Sequence, residues 1–269
     1  MDNKMKIVYT CFPGGKNKVL TMSYDDGMQA DKRLVEIFNQ YGIRGTFHLN
    51  SGVQGEEYIS SSEWKELYKN HEVSCHTVHH PFIGNMPIEQ VALQVLEDRR
   101  KLERIVGYPV RGMSYPYGSY TKDIVELLPR LGIEYCRAVQ STNDFAMPED
   151  FLTWKATCHH DYNLLENGEK FLKIKESQRL CMMYVWGHSF EFDRNNNWEL
   201  IEEFCRMMGG QDDIWYATNI EIVDYVKAAN NLKFTIDTDM VYNPNAQSVW
   251  IRVDGEVSEV PGGATIRLK

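Results

Sequence analysis

The sequence predicts an α/β protein built around a mostly parallel sheet. Over the first 230 residues, short apolar runs alternate with segments of helical period. About seven such runs recur, the pattern of strands joined by crossover helices. Residues capable of chemistry fall at the C-terminal ends of those runs. A barrel carries its chemistry at that end of its strands. An open doubly wound sheet is the rival arrangement and places ligands there too.

Residues 19–24 read as a buried strand that stops at Asp25, Asp26 and Gly27. The next segment carries Leu34, Val35, Phe38 and Tyr41 on one helical face, with Gly42 placed to cap its end. Residues 45–49 form the second strand, 61–70 a helix striped by Trp64, Leu67 and Tyr68, and 72–76 the third strand. A long helix is expected over 88–106, closed by Gly107. Residues 110–115 read as a strand, 122–131 as a helix ending at Gly132, and 134–139 as a strand. The stretch 141–161 reads as a long loop, and 171–177 has partial helical character. Residues 180–186 are a strongly apolar strand, followed by a helix over 198–208, a short strand over 214–217 and a helix over 220–229. After about residue 230, short strands near 234–236, 249–253 and 264–268 alternate with turns, and Asp254-Gly255 signals a hairpin. The expected domains are therefore 1–230 and a small antiparallel β appendage over 231–269, read as a structural cover.

The 269 residues are 43% hydrophobic and 25% charged, enough for a sizeable core. A net charge of -9 without a basic run argues against nucleic acid or an anionic membrane as partner. Residues 1–8 contain no apolar leader and no run reaches membrane-spanning length, so the expectation is a cytoplasmic protein. Cys11, Cys75, Cys136, Cys158, Cys181 and Cys205 are scattered and read as buried thiols.

Four strand ends carry the chemistry. Adjacent strand carboxylates ordinarily face opposite ways, but Gly27 permits a turn that aims Asp25 and Asp26 at one cavity. One could then bind a metal and the other act as base. His76 with either His79 or His80 supplies imidazole ligands, Pro81 disfavouring a helix there. Residues 111–118 end in Pro116, Tyr117 and Gly118, a turn that exposes a backbone N–H to a developing oxyanion. His188 follows the strand over 180–186, where an acid–base group is expected, and Trp186 could wall an apolar pocket. One Asp and two His with an open position suit a catalytic zinc and metal-assisted hydrolysis of an amide or ester.

These segments resemble the polysaccharide deacetylase family, the NodB-like carbohydrate esterases, over residues 18–228. The resemblance implies a distorted (β/α)7 barrel that removes acetyl groups from N-acetylated, or O-acetylated, sugars. It implies Asp25 as base; Asp26, His76 and His80 as ligands of a divalent ion, zinc with cobalt or nickel as alternatives; the Tyr117 N–H as oxyanion donor; and His188 as acid. Where the family often carries an Arg, this chain has Ser114; Arg111 is a candidate to restrain Asp25, although strand alternation turns residues 111 and 114 to opposite faces. Trp154, Asp144 and Asp161 are candidates for the Trp and the Asp that tune the acid histidine, and Trp186 stands where the family usually has Leu. His159 and His160 could line a cleft. Tyr120, Phe190, Phe192, Asn195, Asn196, Asn197 and Trp198 could contact a sugar, a capping loop being the equal reading. The expected substrate is a soluble acetylated carbohydrate. The rival readings are a hydrolase of another small amide or ester, and a non-catalytic carbohydrate-binding protein, against which retention of Asp25 and His188 speaks.

Overall fold

The computed structural model describes residues 6–175 and 178–268. Residues 1–5, at the start read as leaderless, and 176–177, closing the partly helical stretch, lie outside the described residues. The chain enters through β1 (Val8–Cys11) and then β2 (Lys18–Asp25). Strand alternation divides β2 between two environments. Leu20, Met22 and Tyr24 join the larger apolar core, whereas Thr21, Ser23 and Asp25 bond to polar groups, Asn219, His48 and Arg137.

There follow α1 (Asp31–Tyr41), β3 (Gly45–Leu49), α2 (Trp64–Leu67), β4 (Glu72–Cys75), α3 (Ile88–Val106), β5 (Gly112–Ser114), α4 (Lys122–Leu127), β6 (Tyr135–Ser141), β7 (Trp154–Ala156), β8 (Cys158–His159), α5 (Leu164–Leu172), β9 (Cys181–Gly187), α6 (Phe190–Asn195), α7 (Trp198–Met208), β10 (Ile214–Tyr216) and α8 (Asn219–Asn230). Gly42 and Gly107 stop α1 and α3 in the left-handed conformation, at φ 67° and 83°, as the sequence predicts. Three helices differ from expectation, among them α6, which forms over residues read as sugar-contacting or as a capping loop. The α2 helix keeps only four residues. The α5 helix starts seven residues before the stretch read as partly helical, its period obscured by Gly168. A Cβ at Gly168 would meet the Met207 side chain at 2.4 Å, so this glycine permits the close approach of α7.

All pairings in the main sheet are parallel, in the order β7-β6-β5-β4-β3-β2-β9-β8. Its two ends are halves of one extended segment. Between them, the Thr157 N–H donates to the Tyr184 carbonyl (2.8 Å) and its own carbonyl accepts from the Asn143 N–H (3.0 Å). That segment therefore fastens β6 to β9 and closes a barrel of seven strand positions. β10 lies beside the N-terminal half of β2, and β3 beside its C-terminal half. The closing segment lies within the stretch read as a loop. Its two short halves, broken at Thr157, offer no sustained period to read.

The C-terminal region adds β11 (Lys233–Phe234), β12 (Met240–Tyr242), β13 (Val249–Val253), β14 (Glu256–Val260) and β15 (Thr265–Arg267), all antiparallel. Asp254 and Gly255, at φ 47° and 96°, make the tight turn of the β13–β14 hairpin. The N-terminal strand joins this region, β1 pairing with β13. A second core links Val249, Ile251 and Val260 through Ile222 and Val223 of α8 to Trp154 and Tyr184 in the barrel. The six cysteines are all buried. No helix among the described residues is long and apolar enough to cross a membrane.

Candidate active site

Asp25 ends β2 inside the lumen, 3% exposed. Arg137 of β6, four strands away, donates to its Oδ2 across the barrel. Ser114 Oγ donates to its Oδ1 at 3.1 Å. Burial alone would raise this carboxyl; the Arg137 charge, then His76 and His48, outweigh burial and hold it well below the usual carboxylate range.

Asp26 breaks the strand alternation through its own backbone, at φ 80°. The turn aims its carboxylate at the same cavity as Asp25. Asp26 Oδ1 lies 3.7 Å from His76 Nε2 and 3.8 Å from His80 Nε2. Burial, and next the adjacent Asp25 charge, push the Asp26 carboxyl up.

His76 follows β4 and is buried, which pushes its ring down to about 3. Its Nδ1 lies 2.9 Å from the Ser114 carbonyl and 2.7 Å from Ser114 Oγ. A carbonyl only accepts, so Nδ1 carries the proton and Nε2 presents a lone pair toward Asp26. The His76 N–H donates to Asp98 Oδ2 (3.0 Å), and Asn50 Nδ2 donates to the carbonyls of His76 and Thr77 (2.5 and 3.0 Å). Thr77 and His80 take left-handed conformations, φ 66° and 53°, which folds the His80 ring back to 4.7 Å from that of His76. His79 points outward to Gln94 of α3, so the geometry pairs His76 with His80 and leaves His79 as spacer.

The ligand atoms of Asp26, His76 and His80 lie within 4.8 Å of one another. Two imidazoles and one carboxylate, with the His76 proton fixed on its outer nitrogen, fit a divalent zinc-type cation with open positions.

Tyr117 stands over His80, ring centroids 4.4 Å apart, in a 3-10 turn at φ 56° and 64% exposed. That turn is closed by the N–H groups of Gly118 and Ser119, not of Tyr117. His188 faces the cavity from beyond β9, its Nε2 3.9 Å from Asp26 Oδ2. Its Nδ1 lies at ion-pair distance, 3.4 Å, from Glu191 Oε2 of α6. Burial pulls this ring down, but Glu191, Asp25 and Asp26 outweigh it and raise it overall. Trp186 carries the Arg137 guanidinium over its face at 4.3 Å and stands 5.9 Å from His188, so it lines this cavity.

Several expected positions lie elsewhere. Arg111 does not reach Asp25: it is committed to Asp224 (2.6 Å) and Glu134 (3.1 Å), because alternation along β5 turns it away from Ser114. Trp154 is fully buried against Tyr135, Phe151 and Tyr184, so it packs the lumen and presents no face to a ligand. Tyr120 is half-buried and stacked on Tyr115 (4.4 Å). Asp144 bonds within its own loop, and Asp161 faces His160; the carboxylate beside His188 is Glu191. Phe192 and Trp198 are buried and pack the helices. Arg137 and Glu191 are the two site residues the sequence reading missed. Arg137 is a lone charge inside an apolar strand, a readable signal. Glu191 is one helical turn past His188, a spacing common to many surface pairs.

Fold and site together define a closed parallel α/β barrel with an Asp–His–His cluster at the mouth. A sequence profile of the polysaccharide deacetylase family matches residues 13–136, the part of the chain that holds the first three of the four motifs that carry the resemblance. Peptidoglycan-N-acetylglucosamine deacetylase PgdA of Listeria monocytogenes is 24% identical over 114 residues, 41% of this chain and 24% of that protein. The peptidoglycan-N-acetylglucosamine deacetylase of Bacillus cereus is 26% identical over 111 residues, 40% of this chain and 50% of that one. The chain thus matches between a quarter and a half of these curated relatives' length. In fold it is similar to a Mycobacterium smegmatis protein assigned to the polysaccharide deacetylases, at TM-score 0.62 and 14% identity over 84% of this chain and 96% of that one. It is also similar to a family 4 acetyl xylan esterase from Clostridium thermocellum with a bound cobalt ion, at TM-score 0.54 and 10% identity over 77% and 90%. The chain therefore has the NodB-like barrel fold.

Proposed function

We propose that this chain is a metal-dependent deacetylase acting on an acetylated sugar. The observation that carries the reading is the convergence of Asp26, His76 and His80 with Asp25 beside them, ion-paired to Arg137, and His188 opposite. The similarity to peptidoglycan N-acetylglucosamine deacetylases supports an N-acetyl sugar; the acetyl xylan esterase likeness is one of fold.

Asp26, His76 and His80 would hold the divalent ion. When bound, such an ion polarises a carbonyl and acidifies water. Asp25, kept ionised by Arg137 and Ser114, takes the proton of the water that attacks the acetyl carbon. The Tyr117 N–H donates to the oxyanion as it forms. His188, its Nδ1 facing Glu191, gives its proton to the departing amine. Trp186 walls the acetyl end of the cavity, and substrate reaches the exposed Tyr117 edge.

Acetate release from N-acetylglucosamine oligomers, with acetylated xylan as the O-acetyl comparison, tests this. Zinc- or cobalt-loaded protein should release acetate, and Asp25→Asn should retain the metal while turnover falls at least about 10²-fold. No acetate from either class with zinc, cobalt or nickel would overturn the reading; undiminished turnover in Asp25→Asn would overturn the base assignment.

A further inference from the structure

A second group of ligand-capable side chains, His159, His160, Asp161 and Glu191, has its ligand atoms within 4.8 Å of one another. It shares no residue with the Asp26 set and lies on the Nδ1 side of His188. His160 Nε2 is 3.3 Å from Glu191 Oε2 and 3.4 Å from Asp161 Oδ1. A tetrahedral cation with ligands at about 2.0–2.1 Å has ligand–ligand edges of about 3.3–3.4 Å.

Three features point to a ligand. His160 is 0% exposed, and neither ring nitrogen has a hydrogen-bond partner, a costly state for a buried polar group unless something satisfies it. The ring cannot swing to another partner. It is stacked between Tyr24 (5.7 Å, 16°) and Phe192 (4.2 Å, 28°), and Gly187 leaves it room where a Cβ would sit 2.1 Å from Nδ1. Each carboxylate is anchored by its far oxygen, Glu191 Oε1 by Arg194 (3.2 Å) and Asp161 Oδ2 by Asn195 (3.3 Å). The near oxygen faces His160, and that of Glu191 also accepts the His188 N–H (3.1 Å), which fixes it in place. His159 has a different part. Its Nδ1 accepts the Asp161 N–H (3.2 Å), so a neutral ring carries its proton on Nε2, 3.1 Å from Glu191 Oε2. That is the outer-partner arrangement that orients metal-ligating carboxylates.

We propose that His160, Asp161 and Glu191 form a second binding site for a divalent transition-metal cation of the zinc type, with His159 holding Glu191 in place. Two acidic groups and an imidazole meet the charge and donor preference of such an ion, and the partly exposed Asp161 gives it a way in. This site does not depend on the activity proposed above.

The test is zinc stoichiometry. Chelator-treated full-length protein is titrated calorimetrically with zinc chloride, then desalted and analysed for metal, with cobalt(II) absorption as a second readout. Wild type should bind two equivalents. Asp161→Asn, at a partly exposed position, and Glu191→Gln should each bind one; Asp26→Asn should also bind one, retaining the second site. Near-ultraviolet circular dichroism confirms that each variant is folded. One equivalent in wild type that disappears in Asp26→Asn would overturn the proposal. So would two equivalents that persist in both Asp161→Asn and Glu191→Gln.

Discussion

Asp25 and Arg137 form a buried pair whose members come from strands four places apart in the sheet. Ser114 and Arg137 are register partners on adjacent strands, so the guanidinium expected at residue 114 is supplied from the next strand, and Ser114 contributes a hydroxyl instead. Removing one partner of a buried pair strands the other charge. Arg137→Gln should therefore cost about 3–5 kcal/mol in urea-unfolding stability; a loss under about 1 kcal/mol would show that Asp25 does not depend on it. Asp98 works on the backbone. Its carboxyl, pushed up to about 6 by burial, accepts from the N–H groups of Ser51 (2.8 Å) and His76 (3.0 Å). Asp98→Ala leaves the Ser51 N–H unpaired, at about 1–3 kcal/mol, while the His76 N–H keeps the Leu49 carbonyl (3.1 Å); it should weaken zinc binding about 10–100-fold by loosening His76. Unchanged zinc affinity would assign Asp98 to stability alone.

The turns after the strands, rather than the strands, build the cavity. Asp26, Thr77, His80 and Tyr117 all sit at positive φ, conformations that cost of order 1–3 kcal/mol each and persist only where the surroundings impose them. The motifs that carry these turns were legible in the sequence because their residue types are chemically unusual together. Most regular elements were legible for another reason: their apolar periods are long and end at capping glycines, as in α1 and α3. The closing segment was not, since β7 and β8 are too short to show a period and their pairing is set by the two distant strands they join. The same holds for β1, whose partner β13 lies more than 200 residues away. At the base of the barrel, Thr218 and Glu221 form a capping box at the start of α8. Thr218→Ala should cost about 1 kcal/mol, read by thermal unfolding, while zinc stoichiometry stays unchanged.

Across the molecule, a polar plug joins the barrel strands to α8. Glu72 accepts from Tyr135 (2.6 Å), Thr46 (3.1 Å) and the Ile220 N–H at the head of α8 (2.9 Å), and burial pushes its carboxyl up to about 7. The folded chain keeps this proton to about pH 7, while the unfolded chain loses it near the ordinary carboxylate value of about 4.3. The folded state then holds the extra proton, so this group's contribution is present at low pH and is lost as pH rises between the two values. Glu72→Gln should flatten that slope, seen by comparing urea midpoints at pH 5 and pH 8; an unaltered slope would mean the proton resides elsewhere. A chain ending at residue 230 would bare Phe12, Ile222 and Val223, which now share a core with Val249 and Ile251, and should aggregate on light scattering.

The segment 154–159 is the clasp of a bracelet. Six residues hold both rims, so breathing of the ring should begin there, with the Thr157 and His160 amides, bonded to Tyr184 and Trp186, exchanging with deuterium sooner than those of β2. When the clasp slips, His159 and His160 travel with it and leave Glu191 behind on its helix. Loosening of the barrel and release of a cation held by His160 would thus be one event.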